Sequence, residues 1–175
     1  RLELLKKYGV KTIELGVQST NDYILKKCKR GHTFEDVKKA SKLIRRHGFI
    51  LGHQMMIGLP ESTKIDELNT AKDLAKLRPK IVRLYPVLVI KGTELEKEYQ
   101  NGEYEPIPLL QAVERCKELY YFFTNKKITV IRMGLQNTDI ISNPKNAKSE
   151  VVAGPYHEAF GQLVEDSIWY DSILE

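Results

Sequence analysis

Polar side chains capable of binding a ligand occur where apolar, strand-like runs of this chain end. Glu14, Gln18 and Ser19 belong to the run TIELGVQS. Gln54 lies inside a second apolar run, FILGHQMMIGL. Parallel sheets and barrels bind ligands at the carboxyl ends of their strands, because the loops there converge on one crevice. The pattern therefore predicts a polar ligand site at these strand ends.

Glu14 is unusual because it interrupts a run that otherwise reads as a buried strand. A buried carboxylate is costly unless it finds a hydrogen-bonding or charged partner. Two arrangements satisfy it without a ligand: exposure at a sheet edge, or an ion pair with a lysine such as Lys11. A place in the ligand crevice is the third, and the sequence leaves these alternatives open.

The composition indicates an ordinary folded protein. In 175 residues, 42% are hydrophobic and 29% charged, which fits one well-formed core and excludes a disordered chain. The net charge of +5 suits an anionic partner such as nucleic acid, although the bases are spread along helices and solvated helix faces explain them better. Apolar runs such as residues 84–90 are too short to cross a bilayer, so we expect no membrane association.

Cys28 and Cys116 are 88 positions apart and lack CxxC spacing. They predict packing thiols rather than metal ligands, in a reducing, cytoplasmic compartment. The chain begins without Met and partway through a helical pattern, so we expect a fragment of a longer protein.

The chain alternates strand-like and helix-like segments. Apolar runs at 11–18, 49–59 and 80–90 predict three buried strands. The second helix after the first strand carries a capping-box pattern at Thr33 and Asp36. Such alternation predicts a parallel sheet with right-handed crossovers. The remaining predicted elements are a strand at 127–134, helices at 1–8, 21–29, 33–48, 64–77, 93–99, 109–124 and 157–174, and a loop at 136–149.

Four motifs in a fixed order resemble one enzyme family. They are GVQS at 16–19, RGHT at 30–33, GF at 48–49 and GLPEST at 58–63. Their order and spacing resemble the radical S-adenosylmethionine enzymes of the oxygen-independent coproporphyrinogen oxidase type. The segment RLYPVLVIKGT at 83–93 is similar to the subgroup that contains the Elongator catalytic subunit.

The resemblance implies an α/β fold. We expect the second half of a partial (β/α)6 TIM-like barrel with parallel strands, followed by a carboxy-terminal strand and helix extension. The barrel half is expected over residues 1–105 and the extension over 106–175.

The resemblance also implies two cofactors, S-adenosylmethionine and a [4Fe-4S] cluster. The cluster-binding CxxxCxxC motif is absent from the sequence, so its cysteines are expected upstream of Arg1. The parent protein is thus expected to be an enzyme that generates a 5′-deoxyadenosyl radical. The fragment alone is expected to be inactive and to hold no catalytic or metal-binding residues.

Three site residues follow from the matched motifs. Gln18 matches an amide that meets the ribose or methionine of S-adenosylmethionine. Arg30 matches an arginine near the methionine carboxylate, which a guanidinium can bind through two hydrogen bonds. Gln54 replaces an aspartate that contacts the ribose. Without a ligand, Arg30 would cap the end of the helix at Gly31. Gln18 would form hydrogen bonds with backbone groups where the strand ends.

Four further residues are placed by the same resemblance. Val89 and Ile90 match apolar positions that pack on adenine, although the first glycine of that pattern is missing. Ser19 and Glu14 line the crevice by their position alone.

The resemblance implies tRNA uridine modification as the function of the parent protein, with tRNA as a partner. One alternative is an oxidoreductase similar to oxygen-independent coproporphyrinogen oxidase, and another is a non-catalytic module that binds nucleic acid or protein. We also expect self-association through an exposed sheet edge.

Overall fold

A computed structural model describes residues 1–138 and 141–174. Helices and strands alternate along the chain, as the apolar periodicity predicted. The helices are α1 Leu2–Lys7, α2 Asp22–Lys27, α3 Phe34–Arg46, α4 Lys64–Lys76, α5 Glu94–Gln100, α6 Leu109–Asn125 and α7 Phe160–Leu174. The strands are β1 Thr12–Gln18, β2 Ile50–Ile57, β3 Ile81–Pro86, β4 Val89–Ile90, β5 Thr129–Met133 and β6 Val151–Ala153.

Four strands form one sheet in the order β1-β2-β3-β5, and each neighbouring pair is parallel. Each connection between neighbouring strands contains at least one helix, which is what a parallel sheet requires. The predicted α/β class with parallel strands is therefore confirmed.

The predicted strand at 80–90 is wrong in its second half. β3 ends at Pro86, and Val89–Ile90 forms a separate strand that pairs antiparallel with β6. The backbone N–H of Val87 makes the last bond to β2, at the carbonyl of Ile57. β6 was not predicted at all, because three residues are too few to show a period.

One face of the parallel sheet packs on helices. Side chains such as Val17, Met55 and Leu84 are fully buried there, in a cluster that includes residues of α3, α4 and α6. Capping boxes at Thr33 and Thr63 fix the starts of α3 and α4, because each threonine and the aspartate three residues later satisfy exposed N–H groups. Because helices cover this face of the sheet, the opposite face is the one available to a ligand.

The sheet continues into the predicted extension, since β5 bonds directly to β3. The division at residues 105 and 106 stays a prediction. The predicted loop at 136–149 includes residues 139 and 140, which lie outside the described residues. No helix in the described part of the chain has the length and apolar character needed to span a bilayer.

Candidate functional site

A row of four residues crosses the sheet on the face that does not carry the core. The strand register places Gly16 of β1 beside Gln54 of β2, Gln54 beside Arg83 of β3, and Arg83 beside Arg132 of β5. All four are half-buried. Because directly paired residues in a sheet point to the same side, the three polar side chains of this row share one face of the sheet.

Glu14 reaches across β2 to form an ion pair with Arg83. Arg83 Nε donates to Glu14 Oε2 at 2.5 Å and Arg83 Nη2 to Glu14 Oε1 at 2.9 Å. The carboxylate passes over Gly52 of β2, where a Cβ atom would lie only 2.7 Å from Glu14 Cγ. A glycine at this position is therefore what allows β1 and β3 to be joined across the strand between them.

The same carboxylate orients Gln54. The amide Nε2 of Gln54 donates to Glu14 Oε2 at 3.1 Å. The amide nitrogen is thereby engaged, and the oxygen is left to accept a hydrogen bond from a ligand.

Glu14 is ionised in this arrangement. The hydrogen bond from Arg83 lowers the pKa of the Glu14 carboxyl group, against the opposing effect of partial burial. The same bond raises the pKa of Arg83. Of the arrangements that the sequence left open, the structure shows an ion pair, but with Arg83 rather than with a lysine such as Lys11.

Gln18 and Arg30 meet over Gly16 at the carboxyl end of β1. A Cβ atom on Gly16 would lie 3.2 Å from Gln18 Nε2 and 3.5 Å from Arg30 Nη2, so the glycine leaves room for both side chains. Arg30 Nη2 donates to the Gly16 carbonyl at 3.3 Å, and the guanidinium is otherwise exposed. Gly16 is the register neighbour of Gln54, which lies in the middle of β2, so Gln54 is on the strand next to the point where Gln18 and Arg30 meet.

Gln18 carries two signs of a ligand site. Its backbone is left-handed, with φ 68°, a conformation that costs a residue other than glycine roughly 1 kcal/mol or more and is common at binding sites. Its Oε1 atom is buried and has no hydrogen-bond partner in the structure. Such an atom is costly to leave unpaired, so a ligand donor at this point would be stabilising.

A cavity of about 320 Å³ opens beside Arg30 at the carboxyl ends of β2 and β3. Met56, Leu59, Val87 and Leu88 form its apolar part. Lys29 and Glu94 also line the cavity and form an ion pair. The cavity therefore joins an apolar pocket to the cationic side chain of Arg30.

Three of the predicted site residues lie apart from Gln18, Arg30 and Gln54. The Ser19 hydroxyl is buried, accepts from the Asn21 backbone N–H at 3.1 Å and contacts Thr70 of α4, which gives it a role in the turn after β1. Val89 is fully buried in a small apolar cluster, and Ile90 pairs with Val151 of β6. Val87 and Leu88 line the cavity in their place.

Arg83 and Arg132 were not among the predicted site residues. Their signal in the sequence was the charge inside two otherwise apolar strands, at 81–86 and 129–133. Their common face became visible only with the register between β3 and β5.

The cysteines in the described part of the chain are not arranged as a cluster site. Cys28 is half-buried beside the cavity, and burial raises the pKa of its thiol, while Cys116 is fully buried. Among the described residues, no group of three or more His, Cys, Asp or Glu side chains is placed to hold a metal ion.

Two family models together match most of the chain. The Radical SAM superfamily model matches residues 1–74, and the Radical_SAM C-terminal domain model matches residues 79–170. This chain belongs to the radical SAM family. Membership in that family generally implies S-adenosylmethionine and a [4Fe-4S] cluster.

Two named relatives are similar to this radical SAM chain, and the name of the first specifies a tRNA uridine. The tRNA uridine(34) acetyltransferase of Methanocaldococcus jannaschii is 39% identical over 111 residues, which cover 62% of this chain and 20% of the relative. Elongator complex protein 3 of Homo sapiens is 32% identical over 118 residues, covering 64% of this chain and 22% of the relative. The chain thus spans about a fifth of the length of these curated relatives.

A solved structure confirms the barrel-like fold of the radical SAM chain. The Elp3 protein of Methanocaldococcus infernus, with an N-terminal deletion of residues 1–46, matches with a TM-score of 0.80 and 30% identity. The match covers 96% of this chain and 38% of that structure. The predicted membership in the radical SAM family and the predicted partial-barrel fold are both confirmed.

Proposed function

We propose that this chain is the carboxy-terminal part of a radical SAM enzyme and binds S-adenosylmethionine at the carboxyl ends of β1 and β2. The observation that carries the proposal is the meeting of Gln18 and Arg30 over Gly16, the register neighbour of Gln54, with the buried Oε1 atom of Gln18 left unpaired. The residues present fit the cofactor, because they offer a cation for a carboxylate and acceptors for amino or hydroxyl groups.

Each side chain has a distinct proposed role. Arg30 binds the carboxylate of the cofactor, and Gln18 accepts a hydrogen bond through its unpaired oxygen. The side-chain oxygen of Gln54 accepts a hydrogen bond from a ribose hydroxyl, and Glu14 holds the amide in place. The apolar part of the neighbouring cavity, at Met56 and Leu88, excludes water from the adenine side. When bound next to its cluster, the cofactor supplies a 5′-deoxyadenosyl radical for hydrogen abstraction.

The cluster is proposed to be held by cysteines outside this chain, because neither Cys28 nor Cys116 has the required spacing. On this view the fragment alone is catalytically inactive. The name of the tRNA uridine(34) acetyltransferase relative favours a tRNA uridine as the substrate of the complete, cytoplasmic enzyme. β1 lies at one edge of the parallel sheet, and self-association through that edge stays a prediction.

The test uses the full-length protein, purified without oxygen. We expect iron-sulfur absorbance, S-adenosylmethionine binding by calorimetry, and release of 5′-deoxyadenosine with a reductant. Binding without 5′-deoxyadenosine would support the non-catalytic alternative. Absence of binding would refute the proposal.

Arg30→Ala tests the site itself. Because it removes a hydrogen-bonded charge from the cofactor carboxylate, we expect affinity for S-adenosylmethionine to fall by about tenfold to a hundredfold, with an unchanged melting temperature. Lys26→Ala is the control, since it removes an exposed cation from the neighbouring helix α2. A loss of melting temperature at unchanged affinity would assign Arg30 a structural role.

A further inference from the structure

The amino edge of the parallel sheet, opposite the candidate cofactor site, is rich in basic side chains. The four segments that lead into β1, β2, β3 and β5 are residues 6–11, 45–49, 76–80 and 125–128. They contain three, two, three and two Lys or Arg residues, respectively, and no Asp or Glu. All ten basic side chains are exposed. In a parallel sheet these segments must lie along the same edge, which we call the basic edge.

Hydrogen bonds between the segments confirm that they are neighbours. Lys6 Nζ donates to the His47 carbonyl at 3.3 Å, which joins the first segment to the second. Arg45 Nη1 donates to the Leu77 carbonyl at 3.3 Å, which joins the second to the third. The Thr129 N–H bonds the Lys80 carbonyl at 3.2 Å, which joins the third to the start of β5. The basic edge is therefore one continuous surface.

Stabilisation of helix ends explains only part of this charge. Cations in the last turn of a helix interact favourably with its dipole, but that effect fades beyond the turn. Arg78 and Lys127 lie past the ends of α4 and α6, with left-handed backbones of φ 54° and 58°. Gly9 and Gly48, with φ 76° and 79°, occupy the corresponding turns before β1 and β2. Arg78 and Lys127 thus occupy two left-handed positions where glycine would have a lower conformational cost.

A groove beside the basic edge offers a place for a ligand. It encloses about 390 Å³ between α3 and α4, and no acidic residue lines it. Its lining residues are Lys38, Ser41, Lys42, Arg45, Arg46, Lys76 and Leu77. Lys38 is paired with Glu35 and Lys76 with Asp73, whereas Lys42 and Arg46 have no acidic partner in the described part of the chain. The groove therefore keeps uncompensated positive charge.

We propose that the basic edge and this groove bind the sugar-phosphate backbone of RNA. The choice of RNA rests on the tRNA substrate of the proposed function. Leu77 is the one apolar residue lining the groove, which does not favour insertion into a lipid surface. Lysines and arginines without base-reading geometry bind phosphates irrespective of sequence. Tyr8, which is 77% exposed in the first segment, can stack on a base or sugar of the same RNA.

The surface is an anchoring site and not the site of chemistry. It lies one strand length from Gln18, roughly 20 Å for a strand of seven residues. An RNA bound here can contact the protein at the edge while another part of the same molecule reaches the carboxyl ends of the strands. Charge removal at the edge is therefore expected to affect RNA affinity and to spare cofactor binding.

The test measures binding of a fluorescent tRNA transcript to the full-length protein by anisotropy, over a series of salt concentrations. In the variant Lys42→Gln/Arg46→Gln, we expect affinity to fall by about tenfold and the slope of log affinity against log salt to decrease by about 1.5. The control Lys97→Gln/Lys145→Gln removes the same charge from exposed positions off the basic edge. We expect this control to retain most of the affinity.

Three results would overturn the proposal. Equal losses in the groove variant and the control would mean that only net charge matters. Unchanged affinity in the groove variant would place RNA elsewhere. Tight binding of an acidic protein or an anionic vesicle, with none of tRNA, would assign the edge to another partner. Calorimetry of S-adenosylmethionine with the wild-type protein separates this test from the proposed function, because the two can fail independently.

Discussion

The glycine beneath the Glu14 carboxylate gives the sharpest test of the site's architecture. In Gly52→Ala, the new methyl group would lie 2.7 Å from Glu14 Cγ and 2.9 Å from Ile81 Cγ1. Overpacking of this kind costs about 1–3 kcal/mol. Displacing Glu14 from Arg83 adds about 1 kcal/mol, discounted because these side chains are 21% and 26% exposed.

The expected total is roughly 3 kcal/mol of unfolding free energy. For a chain of this length, that corresponds to a decrease in melting temperature of roughly 9 °C. Urea unfolding of wild-type and variant proteins measures the free energy, and calorimetric scanning measures the temperature. Affinity for S-adenosylmethionine is expected to fall as well, because Gln54 loses the carboxylate that orients its amide.

Two controls identify the cause. Gly31→Ala also adds a methyl group, but no atom lies within 4 Å of it, so we expect a change below about 0.5 kcal/mol. In a Glu14→Ala background the clash is partly relieved, so Gly52→Ala is expected to cost about 1–2 kcal/mol less. A Gly52→Ala protein as stable as wild type would refute the idea that the ion pair depends on the missing side chain.

Two further predictions concern buried groups. Burial lowers the pKa of His53 to about 4, so as pH falls from about 6.5 to 4 only the unfolded chain takes up the proton and the folded state loses stability. Urea unfolding at several pH values is expected to show wild type losing up to about 3 kcal/mol more than His53→Leu, and parallel pH profiles would contradict this. Tyr104→Phe removes the hydroxyl that donates to the Gly58 carbonyl at 2.8 Å, which is expected to cost about 1–2 kcal/mol in the same assay. An unchanged unfolding free energy would contradict a stabilising role for this hydrogen bond.

The parallel sheet could be predicted because its signals are local. β1, β2, α3 and α4 are marked by apolar periods, by the Thr33 capping box and by glycines at the turns. The pairing of β4 with β6 could not be predicted, since it joins Val89 to Ala153 across a long stretch of chain. Residue β-propensity made the whole run from 80 to 90 look like one strand, although Pro86 ends β3.

The candidate site was predicted in part. Gln18, Arg30 and Gln54 came from the motif resemblance. The structure brings Gln18 and Arg30 together over Gly16, the register neighbour of Gln54, and their binding roles stay predictions. The partner of Glu14 could not be found from the sequence, because Arg83 is 69 positions away and only the register brings the two strands to a common face. Gln18's left-handed backbone likewise has no sequence signal, since glutamine rarely adopts it.

The ion pair that passes over β2 also has a consequence for how the strands align during folding. A slip of β1 by one residue would turn Glu14 toward the apolar helices and bring Ile13 or Leu15 to the polar face. Only one alignment of β1 lets its carboxylate meet Arg83 through the gap at Gly52. An ionic contact between strands that are not adjacent thus selects the correct alignment of three strands at once.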